Sequence, residues 1–380
     1  MTEPTSAPGG GPKRVAVVWQ PDRFANGIKP LEIQRFLRER GHDVTLVDTN
    51  RLSRSTRWPE ALGGRLPSAR PRWFALYLND VAAAVIRRTG IGRGRLTYYT
   101  MRGDFRLRRA LLRSVIRPDD FDMMICEEPY DAGVLTVPTS ACTLYDCPCP
   151  WADELYYEGW VTRRQHAKLR RLETEVFERV DHLAFHWESY ARYAVEQYGI
   201  SGDNLLRLDF GCTPAQRRAE FADPPRIVYM GNLSARFNNP ELLVRLARLY
   251  PHIDVYGGPP PDPALGLNYR GYSPTPEVLA DYQLGLVTCS TDPLRQQGFS
   301  SKHTLYLSYG LPVLVPDWRR HLDLLQGSLT YNEQTFRSVV EDLHDESRWR
   351  KLSDEAYAQA QRLEWDRTLQ PLEDLLERLP

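Results

Sequence analysis

The chain has 380 residues, a formal net charge of zero, and hydrophobic and charged fractions of 42% and 26%, as in ordinary globular proteins. This length suits two domains better than one core, and the balanced charge gives no overall attraction to nucleic acid or membranes. No apolar run approaches the roughly 20 residues that cross a bilayer, so no membrane-spanning helix is expected.

Residues 1–12 are rich in Pro, Gly, Ser and Thr and lack the apolar stretch of a signal peptide. We therefore expect a disordered tail and a cytoplasmic protein.

The six cysteines form no Cys-x-x-Cys pair and have no second pair at zinc spacing. They are expected to be buried thiols in a reducing cytosol, without a metal site. A metal or redox role for Cys147 and Cys149 is the alternative.

The first half of the chain alternates between strand and helix patterns. A continuous apolar run at 14–19 is typical of a parallel strand buried on both faces. A helix over 30–40 and a strand over 44–47 complete a βαβ unit. Further strands are predicted at 121–126, 142–145 and 182–186, and a charged helix at 162–179. Together these elements predict a first domain over 13–212.

Residues 86–118 contain ten arginines, and apolar residues recur there at helical spacing. This pattern predicts a basic amphipathic helix that lies on an anionic membrane surface or holds a lipid pyrophosphate, with Arg106, Arg108 and Arg109 as contacts. The alternatives are an ordinary solvated face and nucleic-acid binding. Nucleic acid is disfavoured because the chain has no RNA-binding or zinc-finger motif.

Residues 213–225 contain proline and charge without apolar periodicity, and are predicted to be a linker. A second α/β pattern follows over 226–362, with strands predicted at 226–230, 253–256, 284–289 and 313–315. The tail from residue 336 is predicted to be helical, with breaks near Trp365 and Pro371. Two doubly wound α/β domains, each binding ligands at the carboxyl ends of its strands, are therefore predicted.

Two polar loops in the second domain are suited to a diphosphate. Ser300, Ser301 and Lys302 begin a short helix, whose N-terminus has free N–H groups. Only five of the 49 basic residues are lysines, which favours a specific use of Lys302 as a compact point charge; a solvated surface lysine is the alternative. The other loop directly follows a strand and contains the residues Gly231, Asn232, Ser234 and Arg236.

Further candidates are aromatic, imidazole and acidic side chains. Tyr256 or Tyr272 is a candidate for stacking on a nucleobase, and packing in the core is the alternative. His303 is a candidate for binding phosphate or sugar, and an ordinary polar surface residue is the alternative. Asp153 and Glu154 lie in an aromatic-rich segment and are candidates for the general base of a transferase. The alternative is that they form an acidic first helical turn, as the helix dipole favours.

Seven segments carry a resemblance to a known family: IKP at 28–30, RGHDV at 40–44, YDC at 145–147, VYMGNL at 228–233, SKHTLYL at 301–307, GLPV at 310–313 and WDR at 365–367. With them, nearly the whole chain resembles GT-B glycosyltransferases of the family-4-like type. The Ser-Lys block is similar to bacterial exopolysaccharide enzymes of the glucuronosyl- and galactofuranosyltransferase type. Gln297 and Leu305 stand where that family usually carries two glutamates, and Pro148-Cys149-Pro150 replaces an acidic pattern of some relatives.

The resemblance implies two Rossmann-like domains facing a cleft, with residues 363–380 returning to the first domain. It implies transfer of a sugar from a nucleotide-diphospho-sugar to a hydroxyl of a glycan, lipid-linked or small-molecule acceptor, without metal or other cofactor. The matching donor residues include Thr304 of the Ser-Lys block, and the enzyme would be cytoplasmic or peripheral at the inner membrane face. An epimerase or hydrolase of the same fold and a non-catalytic nucleotide-sugar-binding protein are the alternatives.

Overall fold

The computed structural model describes residues 11–19, 28–49, 70–90, 94–127, 129–233, 235–273, 275–298, 300–319 and 325–380. Most of the predicted N-terminal tail therefore lies outside the described residues. The chain divides into two compact units. The first comprises the chain up to residue 208 together with residues 369–380, and the second comprises residues 209–368.

The first unit contains a parallel six-stranded sheet in the order β2-β1-β3-β4-β5-β6. The strands are β1 (Arg14–Trp19), β2 (Asp43–Asp48), β3 (Met123–Cys126), β4 (Cys142–Cys147), β5 (His182–Phe185) and β6 (Leu205–Arg207). The helices are α1 (Ile28–Glu39), α2 (Arg70–Thr89), α3 (Arg95–Val115), α4 (Trp151–Tyr157), α5 (Arg163–Arg179), α6 (Glu188–Tyr198) and, from the C-terminus, α13 (Gln370–Glu377). Every residue of β3 and every residue of β1 after Arg14 is buried, which explains the central positions of these strands.

The second unit contains another parallel six-stranded sheet, in the order β12-β11-β10-β7-β8-β9. Its strands are β7 (Ile227–Met230), β8 (Ile253–Tyr256), β9 (Asn268–Gly271), β10 (Leu284–Leu286), β11 (Val313–Pro316) and β12 (Ser328–Tyr331). Its helices are α7 (Pro240–Leu249), α8 (Pro293–Gln297), α9 (Ser301–Ser308), α10 (Phe336–Glu341), α11 (Glu346–Arg362) and α12 (Trp365–Thr368). The prediction of two doubly wound α/β domains is confirmed.

The boundaries of the second unit differ in position from the predicted ones. The segment predicted as a linker lies inside this unit, where Ala215 N donates to Ser308 O over 2.8 Å and Ala219 N donates to Tyr309 O over 2.9 Å. The chain enters this unit close to the place where it leaves it, because Cys212 N donates to Leu363 O over 2.8 Å. The beginning and the end of the second unit therefore lie side by side.

Helix α13 belongs to the first unit, as the resemblance implies. His42 Nε2 lies 3.1 Å from a carboxylate oxygen of Glu373, and Lys13 Nζ donates to Leu379 O over 2.9 Å.

No helix in the described ranges is both long and apolar enough to cross a bilayer. All six cysteines are free thiols, and Cys142 alone among them is partly exposed.

Candidate functional site

Two glycine-containing loops meet at the carboxyl edge of the second sheet. Gly231 directly follows β7, and its N–H donates to Tyr256 O, at the end of β8, over 2.8 Å. Gly257 and Gly258 follow β8 with φ angles of +93° and +68°. A Cβ atom on Gly258 would lie 3.0 Å from Asn232 Oδ1 and 3.1 Å from Asn232 Cα. Glycine is therefore required here both by backbone conformation and by the close approach of the loops.

Lys302 lies directly against Gly231. A Cβ atom on Gly231 would be 2.3 Å from Lys302 Cε and 3.1 Å from Nζ. Lys302 Nζ donates to Asn238 Oδ1 over 2.9 Å, and it lies 5.5 Å from the centre of the Tyr229 ring. The two loops predicted to share a ligand, one after β7 and one at the start of α9, are thus brought together by the sheet.

Gly231→Ala is expected to disturb this site while leaving the fold nearly intact. The added methyl group would displace the end of the Lys302 side chain, which is flexible, and Gly231 has no left-handed backbone angle to strain. We expect binding of the nucleoside diphosphate that the sequence resemblance implies to weaken by about tenfold or more, with a small change in Tm. Calorimetric titration with a nucleoside diphosphate measures this, and full affinity in the alanine variant would contradict it.

Two arginines add positive charge near Lys302. Burial and the charges of Arg295 and Arg319 lower the pKa of Lys302 to about 8. Among the described residues, Lys302 forms no ion pair with a carboxylate, and the buried Arg319 leaves its Nε without a hydrogen-bond partner. Such a group of cations is stabilised by an anion.

Arg295 and Arg319 are not among the site residues predicted from the sequence. Arg295 is in α8, with its Cζ 4.1 Å from the centre of the Phe237 ring. Arg319 is in a short turn directly after β11. Arg319 could have been identified from its position shortly after a predicted strand, because that position lies at the same edge of the sheet as Lys302.

The other predicted donor residues differ in their placement. Asn232 and Arg236 are exposed, Tyr272 is 77% exposed, and Ser300 and Ser301 are half-buried at the start of α9. Ser234 lies outside the described residues.

His303 and Thr304 are buried within the packing of α9. His303 Nε2 is 2.6 Å from Ser328 Oγ, and burial, assisted by Arg319, lowers its pKa to about 3. The Thr304 hydroxyl donates to Ser301 O over 2.9 Å. Both side chains are therefore hydrogen-bonded within the second unit, and their predicted role in donor binding stays a prediction.

A second polar cluster lies at the carboxyl edge of the first sheet. Lys29 Nζ is 2.7 Å from an Asp146 carboxylate oxygen, both side chains are fully buried, and Nζ also donates to Leu208 O over 2.8 Å. His186 Nε2 lies 3.6 Å from Asp146 and 3.5 Å from Glu127. Burial raises the pKa of Asp146, an effect that Lys29 opposes; burial and Lys29 lower the pKa of His186 well below its usual value.

Asp153, a predicted general base, is buried in a hydrogen-bond network. One carboxylate oxygen contacts His166 Nε2, and the other accepts from Tyr193 OH over 2.8 Å. Arg170 Nε lies 3.9 Å from the first oxygen. Both oxygens of Asp153 are thus occupied, whereas His166 is partly exposed and stacks on Tyr156 at 4.5 Å between ring centres.

Glu154 and the start of α4 have different partners. Glu154 is half-buried, with Oε2 3.6 Å from Cys149 Sγ. The N–H of Trp151 donates to Glu173 over 2.7 Å and that of Ala152 over 3.3 Å. The first turn of α4 is therefore capped by Glu173, and burial raises the pKa of this carboxyl to about 8.

The predicted basic helix corresponds to α3, but its three named arginines have different environments. Arg106 is exposed and Arg109 is half-buried. Arg108 is buried and pairs with Asp104 at 2.7 Å and with Asp131 at 3.4 Å. Contrary to the sequence-based prediction, Arg108 is therefore not available to a membrane or an acceptor, because its charge is used inside the unit.

No group of three or more His, Cys, Asp or Glu side chains suited to a metal ion occurs in the part of the chain that the structure describes. The sequence matches no known family profile and no curated protein.

Solved structures do resemble the chain. It is similar to sucrose-phosphate synthase of Thermosynechococcus elongatus, at 12% identity and a TM-score of 0.65, covering 97% of this chain and 99% of that one. It is similar to Anabaena HepE in complex with UDP and glucose, at 10% identity and a TM-score of 0.61, covering 97% and 100%. It is also similar to a mutant of Staphylococcus aureus TarM in complex with UDP and sugar ligands, at 13% identity and a TM-score of 0.55. That match covers 72% of this chain and 58% of TarM.

Identities this low are evidence of fold and not of activity. The two parallel sheets and the near-complete coverage of two of these proteins agree on one architecture. The chain has the GT-B fold, with two Rossmann-like units.

Proposed function

We propose that this chain is a glycosyltransferase whose second unit binds a nucleotide-diphospho-sugar between the loop after β7 and the start of α9. The observation that carries the proposal is the group of three cations, Lys302, Arg295 and Arg319, beside Gly231. HepE, which has the same fold, was solved with UDP and glucose, and this supports a nucleotide-sugar as the ligand.

The proposed reaction forms a bond between an acceptor hydroxyl oxygen and the anomeric carbon of the donor. The bond from that carbon to the diphosphate breaks, and the leaving nucleoside diphosphate takes the electron pair. Fixed cations stabilise the growing negative charge most strongly in a partly desolvated site. We propose that Lys302, Arg295 and Arg319 supply this stabilisation without a metal ion. The acceptor is a hydroxyl of a glycan, a lipid-linked sugar or a small molecule.

If the reaction inverts the anomeric centre, the acceptor proton needs a base, for which Asp153 and Glu154 are the sequence-based candidates. Both oxygens of Asp153 are hydrogen-bonded, and its neighbour His166 is partly exposed. We propose that His166 takes the proton and that Asp153 orients its ring and stabilises the imidazolium. In a retaining reaction the oxygen of the leaving diphosphate would take that proton, so no such base would be needed.

Asp153→Asn and His166→Gln test this role. Gln at position 166 keeps a hydrogen-bond donor for Asp153 but cannot take up a proton. In an inverting enzyme we expect both changes to lower the turnover number by about 10²- to 10⁴-fold, with nucleotide affinity unchanged. Wild-type turnover in the Gln variant would show that His166 only connects α4 to α5.

The proposed function is tested in two steps. Thermal shifts with UDP, GDP, ADP, dTDP and CMP identify the nucleotide, because a ligand of the native state raises apparent stability. The matching nucleotide-sugars are then incubated with EDTA, either with water alone or with alkyl glycosides as acceptors. Nucleoside diphosphate released only with an acceptor supports a metal-independent transferase. Turnover in water alone indicates an epimerase or hydrolase, and binding without consumption indicates a non-catalytic protein.

A further inference from the structure

Large apolar side chains are unusually exposed on the helix pair α2–α3 of the first unit. The described residues include ten exposed large hydrophobic side chains, and five of them are on this pair, each between 43% and 52% exposed. They are Leu78, Val81 and Val85 of α2 and Leu96 and Tyr99 of α3. A concentration of this kind on a surface of a folded chain indicates a binding surface.

The exposed residues of α2 form one stripe on the side away from α3. Leu78, Val81 and Val85 are spaced by three and four residues, which places them on one face of a helix. The opposite face packs on α3, where Asn79 Nδ2 donates to Thr100 O over 3.0 Å. The apolar stripe of α2 is thus presented to solvent and not to the rest of the unit.

The solvent-facing stripe of α3 is basic. Successive spacings of four, three, four, three and four residues place on one face Arg95, Tyr99, Arg102, Arg106, Arg109 and Arg113, all exposed or half-buried. Asp104, the one carboxylate of α3, is on the buried face and pairs with Arg108 at 2.7 Å. The stripe therefore contains no acidic residue.

The charge of this segment contrasts with that of the whole chain. Residues 70–117 contain twelve arginines, two aspartates and no lysine or glutamate, which is a formal charge of +10 in a chain of net charge zero. The two aspartates, Asp80 and Asp104, both lie within 4.0 Å of the buried Arg108. Both carboxylates of the segment thus contribute to neutralising a buried arginine.

We propose that α2 and α3 form a surface that lies on an anionic bilayer. The apolar stripe of α2 would enter the boundary between headgroups and acyl chains, and the arginines of α3 would contact lipid phosphates. Interfacial helices combine these two features. Packed helices are about 8–10 Å apart, so both stripes can reach one headgroup layer. The inference depends on the first unit alone and not on the proposed function.

Nucleic acid is the competing ligand for a basic surface, and the exposed residues argue against it. Aliphatic side chains such as Leu78, Val81 and Val85 can neither stack on bases nor form hydrogen bonds with phosphates. Proteins that bind single strands instead stack the bases on aromatic side chains. Tyr99 is the one aromatic residue of the α3 stripe. Aliphatic side chains beside arginines fit a lipid surface better.

Sedimentation of the full chain with large vesicles tests the proposal. We expect binding to vesicles of phosphatidylglycerol and phosphatidylcholine at about 0.1 M salt, weakening at about 1 M, and little binding to phosphatidylcholine alone. Arg106→Glu with Arg113→Glu should lower partitioning at least 20-fold, since each basic residue contributes about fivefold near an anionic surface. The matched control is Arg245→Glu with Arg248→Glu, two exposed arginines of α7 in the second unit.

A second variant tests the apolar stripe. Changing Leu78, Val81 and Val85 to Gln keeps helix propensity and charge, and should remove the binding that persists at high salt. The proposal is overturned if wild-type protein does not sediment with anionic vesicles, or if the α7 control loses as much binding as the α3 variant. Binding to duplex DNA with no vesicle binding would also overturn it. Nucleotide thermal shifts on the same preparations report on the donor site separately.

Discussion

Lys302→Met is expected to weaken binding of a nucleoside diphosphate by about 10- to 100-fold, the usual contribution of a hydrogen bond to a charged group. Free protein should be as stable as the wild type, or more stable. In the wild type, burial and the charges of Arg295 and Arg319 disfavour the ammonium group, as its lowered pKa indicates. Methionine keeps the apolar part of the side chain and removes that unfavourable charge.

Calorimetric titration and thermal unfolding measure the two effects on the same samples. Lys351→Met is the matched control, because Lys351 is exposed on α11 and should affect neither quantity. Lower stability together with lower affinity would indicate that Lys302 supports the fold. Unchanged affinity would mean that the diphosphate binds elsewhere.

The pH dependence of binding provides an independent check on Lys302. A diphosphate favours the protonated amine, whose pKa in the free protein is lowered to about 8. Affinity should therefore fall as pH rises above about 8, and binding should be accompanied by proton uptake there. This dependence should be absent from the Met variant. The stability of the free protein should instead rise as pH increases from about 8 toward 10.5, since the unfolded chain then holds the extra proton.

Asp146→Ala is expected to lower the free energy of unfolding of the first unit by about 3–5 kcal/mol, as found when one partner of a buried ion pair is removed. Lys29 would keep a buried ammonium whose remaining partner in the structure is the Leu208 carbonyl. Urea unfolding measures the loss. Faster hydrogen exchange in peptides from β1 and β4 would locate it in the first unit.

Two further variants define the origin of that effect. Lys29→Met combined with Asp146→Leu should restore much of the stability, because uncharged side chains of similar volume can replace a buried pair. Glu39→Ala, which breaks the exposed pair with Arg35 at 2.7 Å, should have little effect. The explanation fails if Asp146→Ala is as stable as the wild type, or if the double variant is no better than the single one.

The fold was predictable where apolar runs are continuous. Strands β1 and β7 are fully or largely buried, so the alternation of strand and helix was visible in the sequence. Strands β6, β9 and β12 were missed because most of their side chains are exposed or half-buried, which removes the apolar signal. β10 ends at Leu286, earlier than predicted, although the chain remains buried through Cys289.

The grouping of candidate site residues was predictable where a single loop contains the signal. Gly231 and Lys302 each stand in a recognisable loop, but Arg319 approaches them only because β11, β10 and β7 are neighbours in the sheet. Lys29 and Asp146 are 117 residues apart in the chain. Asp153 was predicted to be a general base, with a place in a first helical turn as the alternative, and it does lie in the first turn of α4. Its contact with His166 depends on how α4 and α5 pack. Spatial neighbours of this kind have no local sequence pattern.

The hydrogen bond between Cys212 and Leu363 joins the first and last segments of the second unit. Phe210 and Trp365 pack beside it, with ring centres 5.1 Å apart, so the two ends of the second unit meet. This unit is one uninterrupted segment that can be cloned by itself with adjacent termini. The first unit is discontinuous, and truncation after residue 368 would remove α13 from it. A minimal first unit therefore requires a short peptide joining residue 208 to residue 369.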